Sequence, residues 1–427
     1  MNFISELRWR GLLHEAMPGT EEHFLANRSA GYLGADPTGD SLHIGNLVSL
    51  MMLVHLQRAG HKPFALVGGA TGMVGDPSGK DKERQLLSLE EIHHNSECIR
   101  LQMERFLDFS GSNAAEMVNN YDWLGQMGFL EFLRDVGKHI TISYMMGKES
   151  VKKRLASESG ISYTEFAYQL LQGYDYYWLY THKGVRLQVG GSDQWGNITT
   201  GTELIRRKAG PEAEAFAAVC PLLTREDGSK FGKTAEGSSI WLDPKKTSPY
   251  SFFQYWRNAS DTDAERFIKI FTLKGQEEIE ALIATHRAQP HLYQLQKALA
   301  EDVTLRVHGE SGLQSAVKLT DFLFGAQSGP ETLSESDWQA AAQASDTLHF
   351  SRERISEGIG ILDMLTELGI TKSKGDARRA IEADKSVRIN AVRVEVPDLQ
   401  VNMSHAFFQT YLQLQKGKKE KYIVVLR

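Results

Sequence analysis

The sequence predicts an α/β fold built on a parallel sheet, on the strength of three stretches. Ala30–Asn46 reads as the end of a strand, a Gly/Pro/Asp turn (Asp36-Pro37-Thr38-Gly39) and the first turn of a helix, with Asp40 or Ser41 available as its cap. From Ile44 to Leu56 this helix is apolar on nearly every side, so it belongs inside a large domain; Gly60 ends it and Pro63–Val67 returns as a short apolar strand. Val185–Val189 is a further strand followed directly by Gly190-Gly191, which marks a carboxyl edge of the sheet, where such folds bind ligands.

The remaining elements follow in order. Residues 1–28 read as one or two helices separated at Pro18-Gly19, and residues 88–136 as helical by periodicity with a turn at 110–113. Thr247 to about Phe324 is helical, residues 325–350 read as a linker holding a short helix, and a small separate domain begins near residue 352. That tail has helices at Ile361–Leu368 and around Gly375–Ile381, a strand at Val387–Asn390, and strands Tyr411–Gln415 and Tyr422–Leu426 flanking the basic hairpin Lys416-Gly417-Lys418-Lys419.

The totals set bounds. A chain of 427 residues has room for about two or three domains, and a formal charge of −6 does not announce a nucleic-acid binder, so any RNA contact must come from local basic patches. Two cysteines, Cys98 and Cys220, offer neither a zinc spacing nor a disulfide framework, which fits a reducing cytoplasm. The amino-terminal segment is amphipathic, unlike a signal peptide, and the apolar run at 47–54 is far too short to span a bilayer. No resident metal is expected, since His93, His94, Glu97 and Cys98 read as helix-surface residues.

Several residues carry chemistry by type and place. His43 and Asn46 stand three apart at a helix start, beside the positive end of its dipole, and with Thr38 they suit a phosphate that gains charge during a reaction. Taken alone, such a pair is more readily a satisfied helix start than a site. The loop Gly68–Lys80 fails the phosphate-loop spacing, because the required glycine is Val74 and Asp81 replaces the hydroxyl residue; it reads as a close-approach loop. On a helix Tyr168, Gln172 and Asp175 share one face, a polar stripe that is costly unless it meets partners. Asp193 suits the hydroxyls of a ribose, and Gln194 a carboxylate or phosphate oxygen. Lys230 and Lys233 lie on a glycine-containing loop that also fails the phosphate-loop spacing, by one residue.

Together these segments resemble a known family. Asp-Pro-Thr-x-x-Ser-Leu-His-Ile-Gly-Asn is similar to the His-Ile-Gly-His signature of class I aminoacyl-tRNA synthetases, with Asn46 in the last position, and Lys230-Phe231-Gly232-Lys233-Thr234 is similar to their Lys-Met-Ser-Lys-Ser loop. Tyr-x-Gly-x-Asp-Pro-Thr and the helix at 163–175 resemble the tyrosyl members in particular, over essentially the whole chain. The resemblance implies a Rossmann-like catalytic domain (1–225, with a helical insertion at about 88–160), the lysine loop and a helical anticodon-side domain (226–325), a linker (326–351) and an S4-like RNA-binding domain (352–427). That last domain departs from the family at Asp384-Lys385, where a glycine is usual.

The same resemblance implies the site. Tyr32 and Asp175 would hold the substrate phenol; Asp76, Tyr168 and Gln172 its ammonium; and Gln194 completes the tyrosine set. Gly34, Asp36, His43, Gly191, Asp193, Lys230, Phe231, Gly232, Lys233 and Thr234 would surround ATP, which brings Mg²⁺ with its phosphates. Thr38, His43, Asn46, Lys230 and Lys233 would stabilise the transferring phosphoryl group, and Lys80 and Arg84 would form a mobile cationic loop. Lys152, Arg207, Lys208, Arg378 and Arg379 are candidates for tRNA(Tyr) contact, Lys152 lying in a basic cluster with Lys148, Lys153 and Arg154. The implied activity is tyrosine–tRNA ligation by a cytoplasmic homodimer acting on L-tyrosine, ATP and tRNA(Tyr). A tryptophanyl enzyme is the nearest rival, disfavoured because indole has one donor and no hydroxyl for the Tyr32/Asp175 pair; an RNA-binding protein with a retired catalytic domain is the rival from another class.

Overall fold

The structure is a computed structural model that describes residues 2–76, 87–156, 160–233, 237–324, 329–345, 347–417 and 420–427. It divides into two compact units, Met1–Thr247 with Trp256–Val307, and Ser248–Tyr255 with His308–Arg427.

The first unit holds a six-stranded sheet of β1 (Glu15–Ala16), β2 (Ala30–Ala35), β3 (Lys62–Val67), β4 (Glu116–Asn119), β5 (Val185–Gly191) and β6 (Phe216–Cys220), in the order β1-β6-β5-β2-β3-β4. Every pairing is parallel except that of β1 with β6. From β2 the chain first runs outward to β3, by way of the helix Ile44–Arg58, and later returns on the other side to β5. The carboxyl ends of β2 and β5 therefore flank a topological switch point, the place where open α/β sheets bind ligands. The helix Ile44–Arg58 is buried from Leu50 to Leu56 on every side, as its composition demands, and Gly60 beyond it takes φ 90°, a left-handed conformation open to glycine at little cost.

Two local expectations change. The helix is capped not by Asp40 or Ser41 but by His43, because Ser41 and Leu42 are committed elsewhere: the Ser41 hydroxyl accepts from the Asp243 N–H, and the Leu42 carbonyl from the Leu242 N–H. Residues 88–136 are not one helical run. A helix covers Leu89–Met103, after which β4 forms the sheet edge and the short helices Tyr121–Leu124 and Phe129–Asp135 follow. β1 and β6 complete the sheet beyond the strands foreseen.

Past residue 247 the chain is helical to Phe324, as expected, although the segment Gln294–Phe324 is broken at Gly309 (φ 71°), beside the boundary of the units. In the second unit a sheet forms from β7 (Thr347–Phe350), β9 (Val387–Ile389), β10 (Val392–Arg393), β12 (Tyr411–Lys416) and β13 (Glu420–Leu426), ordered β10-β9-β12-β13-β7; the pair β8 (Ile359–Gly360) and β11 (Gln400–Val401) lies apart. Residues 329–350 are more than a linker. The helix Glu335–Ala344 buries Trp338 against Phe322, Phe407 and Tyr411, and β7 pairs in parallel with β13. At the departure Asp384-Lys385, Lys385 adopts φ 49°, so the chain keeps a glycine-like turn without glycine. Among the described residues no helix is long and apolar enough to cross a membrane.

Candidate active site

A cleft of ≈ 610 Å³ opens at the switch point. Its wall gathers Tyr32, Gly34, Asp36, Thr38, His43, Asn46, Asp76, Tyr168, Gln172, Asp175, Gly191, Asp193, Gln194, Lys230 and Phe231, residues drawn from five separate stretches of sequence.

One end is formed by buried polar side chains. Asp175, on the helix Tyr163–Lys183, is buried, and its two oxygens accept from Trp123 Nε1 at 2.8 Å and Asn120 Nδ2 at 3.0 Å. Burial raises its pKa to about 7, against the pull of those two donors. Tyr32, 1% exposed on β2, brings its phenol to the same end, and that hydroxyl has no hydrogen-bond partner among the described residues. Burial, and then the nearby Asp175 charge, hold the Tyr32 hydroxyl protonated. A buried hydroxyl left unpaired is costly, so its presence beside a buried carboxylate marks a place prepared for a polar group of a ligand.

A hydrogen-bonded chain ties this end to the middle of the cleft. Asn120 Nδ2 also donates to Thr71 Oγ1 (2.9 Å), Thr71 donates to Asp36 Oδ1 (2.7 Å), and the Tyr168 hydroxyl donates to Asp36 Oδ2 (2.7 Å). Asp36, expected around ATP, thus has both oxygens engaged by the protein and fixes the Tyr168 ring. Asp76 accepts from Gln194 Nε2 (2.6 Å) and Asn197 Nδ2 (3.2 Å). Gln172 lines the cleft between these groups. Asp76 and Tyr168 both line the cleft, one with a carboxylate and the other with a phenolic oxygen.

The residues expected to meet phosphate lie at the helix start. His43 accepts the Asn46 N–H at Nδ1 (3.3 Å), while the Asn46 carboxamide oxygen accepts the His43 N–H (3.1 Å), a reciprocal capping box. With Nδ1 accepting, the proton of the neutral ring sits on Nε2, and the Asn46 amide keeps its NH₂ as donor. Gly45 is required between them, since a Cβ there would lie 2.8 Å from His43 Cε1. At Gly191 a Cβ would come 2.6 Å from Asp193 Oδ1 and would turn that carboxylate aside. Asp193 is partly buried and its pKa is raised, chiefly by burial and then by Asp76.

The two signature segments are physically joined. His43 bridges to Trp241 in antiparallel fashion, and the Ile44 N–H donates to the Ile240 carbonyl (3.0 Å). Gly232, at φ 82°, lets the lysine loop lie against Ile44, where a Cβ would meet Cγ1 at 3.2 Å. The Phe231 ring is anchored against Phe267 and Phe271. Lys230 reaches the cleft wall, whereas Lys233 is absent from it and donates from Nζ to Ser239 Oγ at 2.9 Å. Thr234, Lys80 and Arg84 lie outside the described residues.

The RNA candidates fare unevenly. Lys152, Arg378 and Arg379 are exposed, Arg379 pairing with Asp376. Arg207 bonds to Glu203 and the His139 carbonyl, and Lys208 to the Asp135 carbonyl. The basic cluster around Lys152 is smaller than its sequence implies, since Arg154 is buried against Glu165 (2.7 Å) and Lys148 bonds to Tyr144 and Thr199. Sequence reasoning missed Thr71, Asn120, Trp123, Gln188 and Asn197. Asn120 and Trp123 follow β4 directly, and recognising that strand would have placed them at the sheet's carboxyl edge. No group of three or more His, Cys, Asp or Glu suited to a metal occurs among the described residues.

Strand order, a switch-point cleft and the bridge between helix start and lysine loop define the catalytic core of a class I aminoacyl-tRNA synthetase. A family profile described as tRNA synthetases class I (W and Y) matches residues 26–325, and one for the tyrosine–tRNA ligase SYY-like C-terminal domain matches residues 342–425. Tyrosine–tRNA ligases of Porphyromonas gingivalis and Bacteroides thetaiotaomicron are 52% and 51% identical to it, over 100% of each chain. A C-terminally truncated mitochondrial tyrosyl-tRNA synthetase of Aspergillus nidulans, 28% identical, superposes with a TM-score of 0.68 over 76% of this chain and 94% of its own. The chain belongs to the tyrosyl-tRNA synthetase family of class I enzymes.

Proposed function

We infer that the protein is a tyrosine–tRNA ligase in which the buried end of the cleft takes the phenol of L-tyrosine and the end at the helix start takes ATP. A carboxylate oxygen of tyrosine attacks the α-phosphorus, the bond from that phosphorus to the bridging oxygen breaks, and pyrophosphate leaves with the electron pair. The tyrosyl group then passes from the adenylate to the 3′-terminal ribose of tRNA(Tyr).

The observation that carries this reading is the Tyr32 hydroxyl, without a partner among the described residues, beside the buried Asp175 carboxylate. A phenol satisfies both, accepting from Tyr32 and donating to Asp175; a phenylalanine ring satisfies neither and leaves two buried polar groups unpaired. Asp76 and Tyr168, with Gln172, would hold the ammonium, and Asp193 the ribose of ATP. Thr38, His43 Nε2–H and the Asn46 amide would meet the phosphates at a helix N-terminus, where backbone dipoles already favour negative charge. Lys230 and Lys233, aided by Lys80 and Arg84, would neutralise the leaving pyrophosphate, and Mg²⁺ enters with ATP as part of that substrate.

The same reading assigns residues 1–225 to catalysis, the helices to residue 325 to the anticodon side, and 352–427 to an S4-like RNA-binding domain with Arg378 and Arg379 outward. A cytoplasmic homodimer completes it, supported by the exposed apolar side chains Phe129, Leu130, Ile142 and Met146. Tyrosine-dependent ATP–pyrophosphate exchange, compared with phenylalanine and tryptophan, tests it. Exchange with tyrosine alone is expected. Exchange with tryptophan alone would select the rival synthetase, and none with any would leave an RNA-binding protein.

A further inference from the structure

The donor that orients Asp175 is itself held by a ring outside the cleft. Trp123, which donates to Asp175 Oδ1, lies flat against Trp178, with ring centroids 4.2 Å apart and planes 10° apart. Trp178 in turn stacks on His182 (4.5 Å, 16°), whose Nδ1 is 2.9 Å from the Trp178 carbonyl oxygen. Asp175, Trp178 and His182 fall at i, i+3 and i+7 on the single helix Tyr163–Lys183, so one helix presents both the carboxylate and the flat surface against which its donor rests.

An indole N–H points in the plane of its ring, and its hydrogen bond weakens steeply as that plane turns away from the acceptor. The Trp123–Asp175 contact leaves rotation about the N–H axis open, and the stacked face of Trp178 restricts it from the side away from the carboxylate. Neither Trp178 nor His182 lines the cleft, so neither contacts an amino acid held there. We propose that Trp178 is a positioning residue for tyrosine selectivity, acting through Trp123 to aim the Asp175 carboxylate at the substrate's hydroxyl. The proposal rests on the tyrosine reading of the cleft. Removing the Trp178 ring lets the Trp123 plane rotate, and Asp175 loses one of its two N–H donors while remaining buried.

Trp178→Leu and Trp178→Phe test this in the full-length enzyme. In Trp178→Leu the KM for tyrosine in exchange rises about tenfold, the worth of one hydrogen bond to a charged group, and the preference for tyrosine over phenylalanine falls in proportion. The kcat and the KM for ATP stay within about twofold, and Trp178→Phe, which keeps a flat ring, restores most of the loss. Independently, solvent exchange of the Trp123 indole N–H, followed at its ¹H–¹⁵N resonance and assigned by the disappearance of that resonance in Trp123→Phe, speeds up in Trp178→Leu and stays slow in Trp178→Phe. An unmoved tyrosine KM, or losses shared equally by tyrosine and ATP, overturns the proposal. Absence of tyrosine exchange in the unmodified protein removes the tyrosine reading instead, and an unchanged rate of indole N–H exchange with solvent in Trp178→Leu then overturns the positioning role by itself.

Discussion

His43 and Asn46 cap one another: each backbone N–H at the start of the helix Ile44–Arg58 is received by the other's side chain. Asn46 therefore has two duties, an acceptor for the helix and an NH₂ for the cleft, and they can be separated. Asn46→Ala removes both, so stability falls by about 1 kcal/mol in urea and exchange slows. Asn46→Asp keeps the acceptor and adds a charge that the helix dipole welcomes, so stability holds or rises while exchange slows by repulsion of the triphosphate. Equal stability loss in both variants would refute the capping role.

Lys233 bonds to Ser239 rather than to the cleft, so a role in the transition state requires its Nζ to leave that hydroxyl as ATP reacts. Lys233→Ala should lower kcat for exchange about 100-fold, near 2.7 kcal/mol, with tyrosine affinity by equilibrium dialysis unchanged. Ser239→Ala, which only frees the ammonium, should change kcat by less than about threefold. Equal losses of kcat and tyrosine affinity in Lys233→Ala would show uniform binding instead.

Much of this site is legible in sequence, and the reasons for the remainder are physical. Turn residues, a wholly apolar helix and the polar stripe Tyr168–Gln172–Asp175 are local patterns, and they place most of the cleft wall. Asn120 and Trp123 escape because β4 is a four-residue edge strand, half-buried throughout and without alternation, inside a stretch whose periodicity reads as helix. β6, Phe-Ala-Ala-Val-Cys, is a short apolar run that pattern alone cannot tell from buried helix. The true helix cap escapes because Ser41 and Leu42 bond to residues about 200 positions away. Arg154 looks like one more surface cation until its pairing with Glu165 is seen.

Asp175 gives the enzyme a pH signature. Its folded pKa is raised to about 7, from an ordinary value near 4, mainly by burial. A raised carboxylate favours the neutral form in the folded state, so its contribution to stability is complete below about pH 4 and is lost as pH rises through 7. Asp175→Asn should therefore lack that decline, measured as the difference between the two urea midpoints from pH 4 to 8. The ionised form is the better phenol acceptor, so kcat/KM for tyrosine should rise through pH 7 while kcat/KM for ATP at saturating tyrosine changes less. Parallel curves for the two substrates would assign the titration to another group.

Lys385 offers a test in the second unit. Its φ of 49° places a long side chain in the left-handed region at the turn before β9, where Cβ crowds the backbone. The Ser386 N–H and hydroxyl just beyond both donate to the Ala380 carbonyl, at 2.9 and 3.1 Å, so the turn is held in place and cannot relax to φ < 0 without breaking them. Lys385→Gly relieves the crowding, and the greater entropy of an unfolded glycine offsets part of the gain. A net stabilisation of roughly 0.5–1 kcal/mol is expected, read as a rise in the unfolding transition of this unit, with tyrosine exchange unchanged. Destabilisation by a similar amount would mean that contacts of the lysine stem outweigh the strain of its backbone.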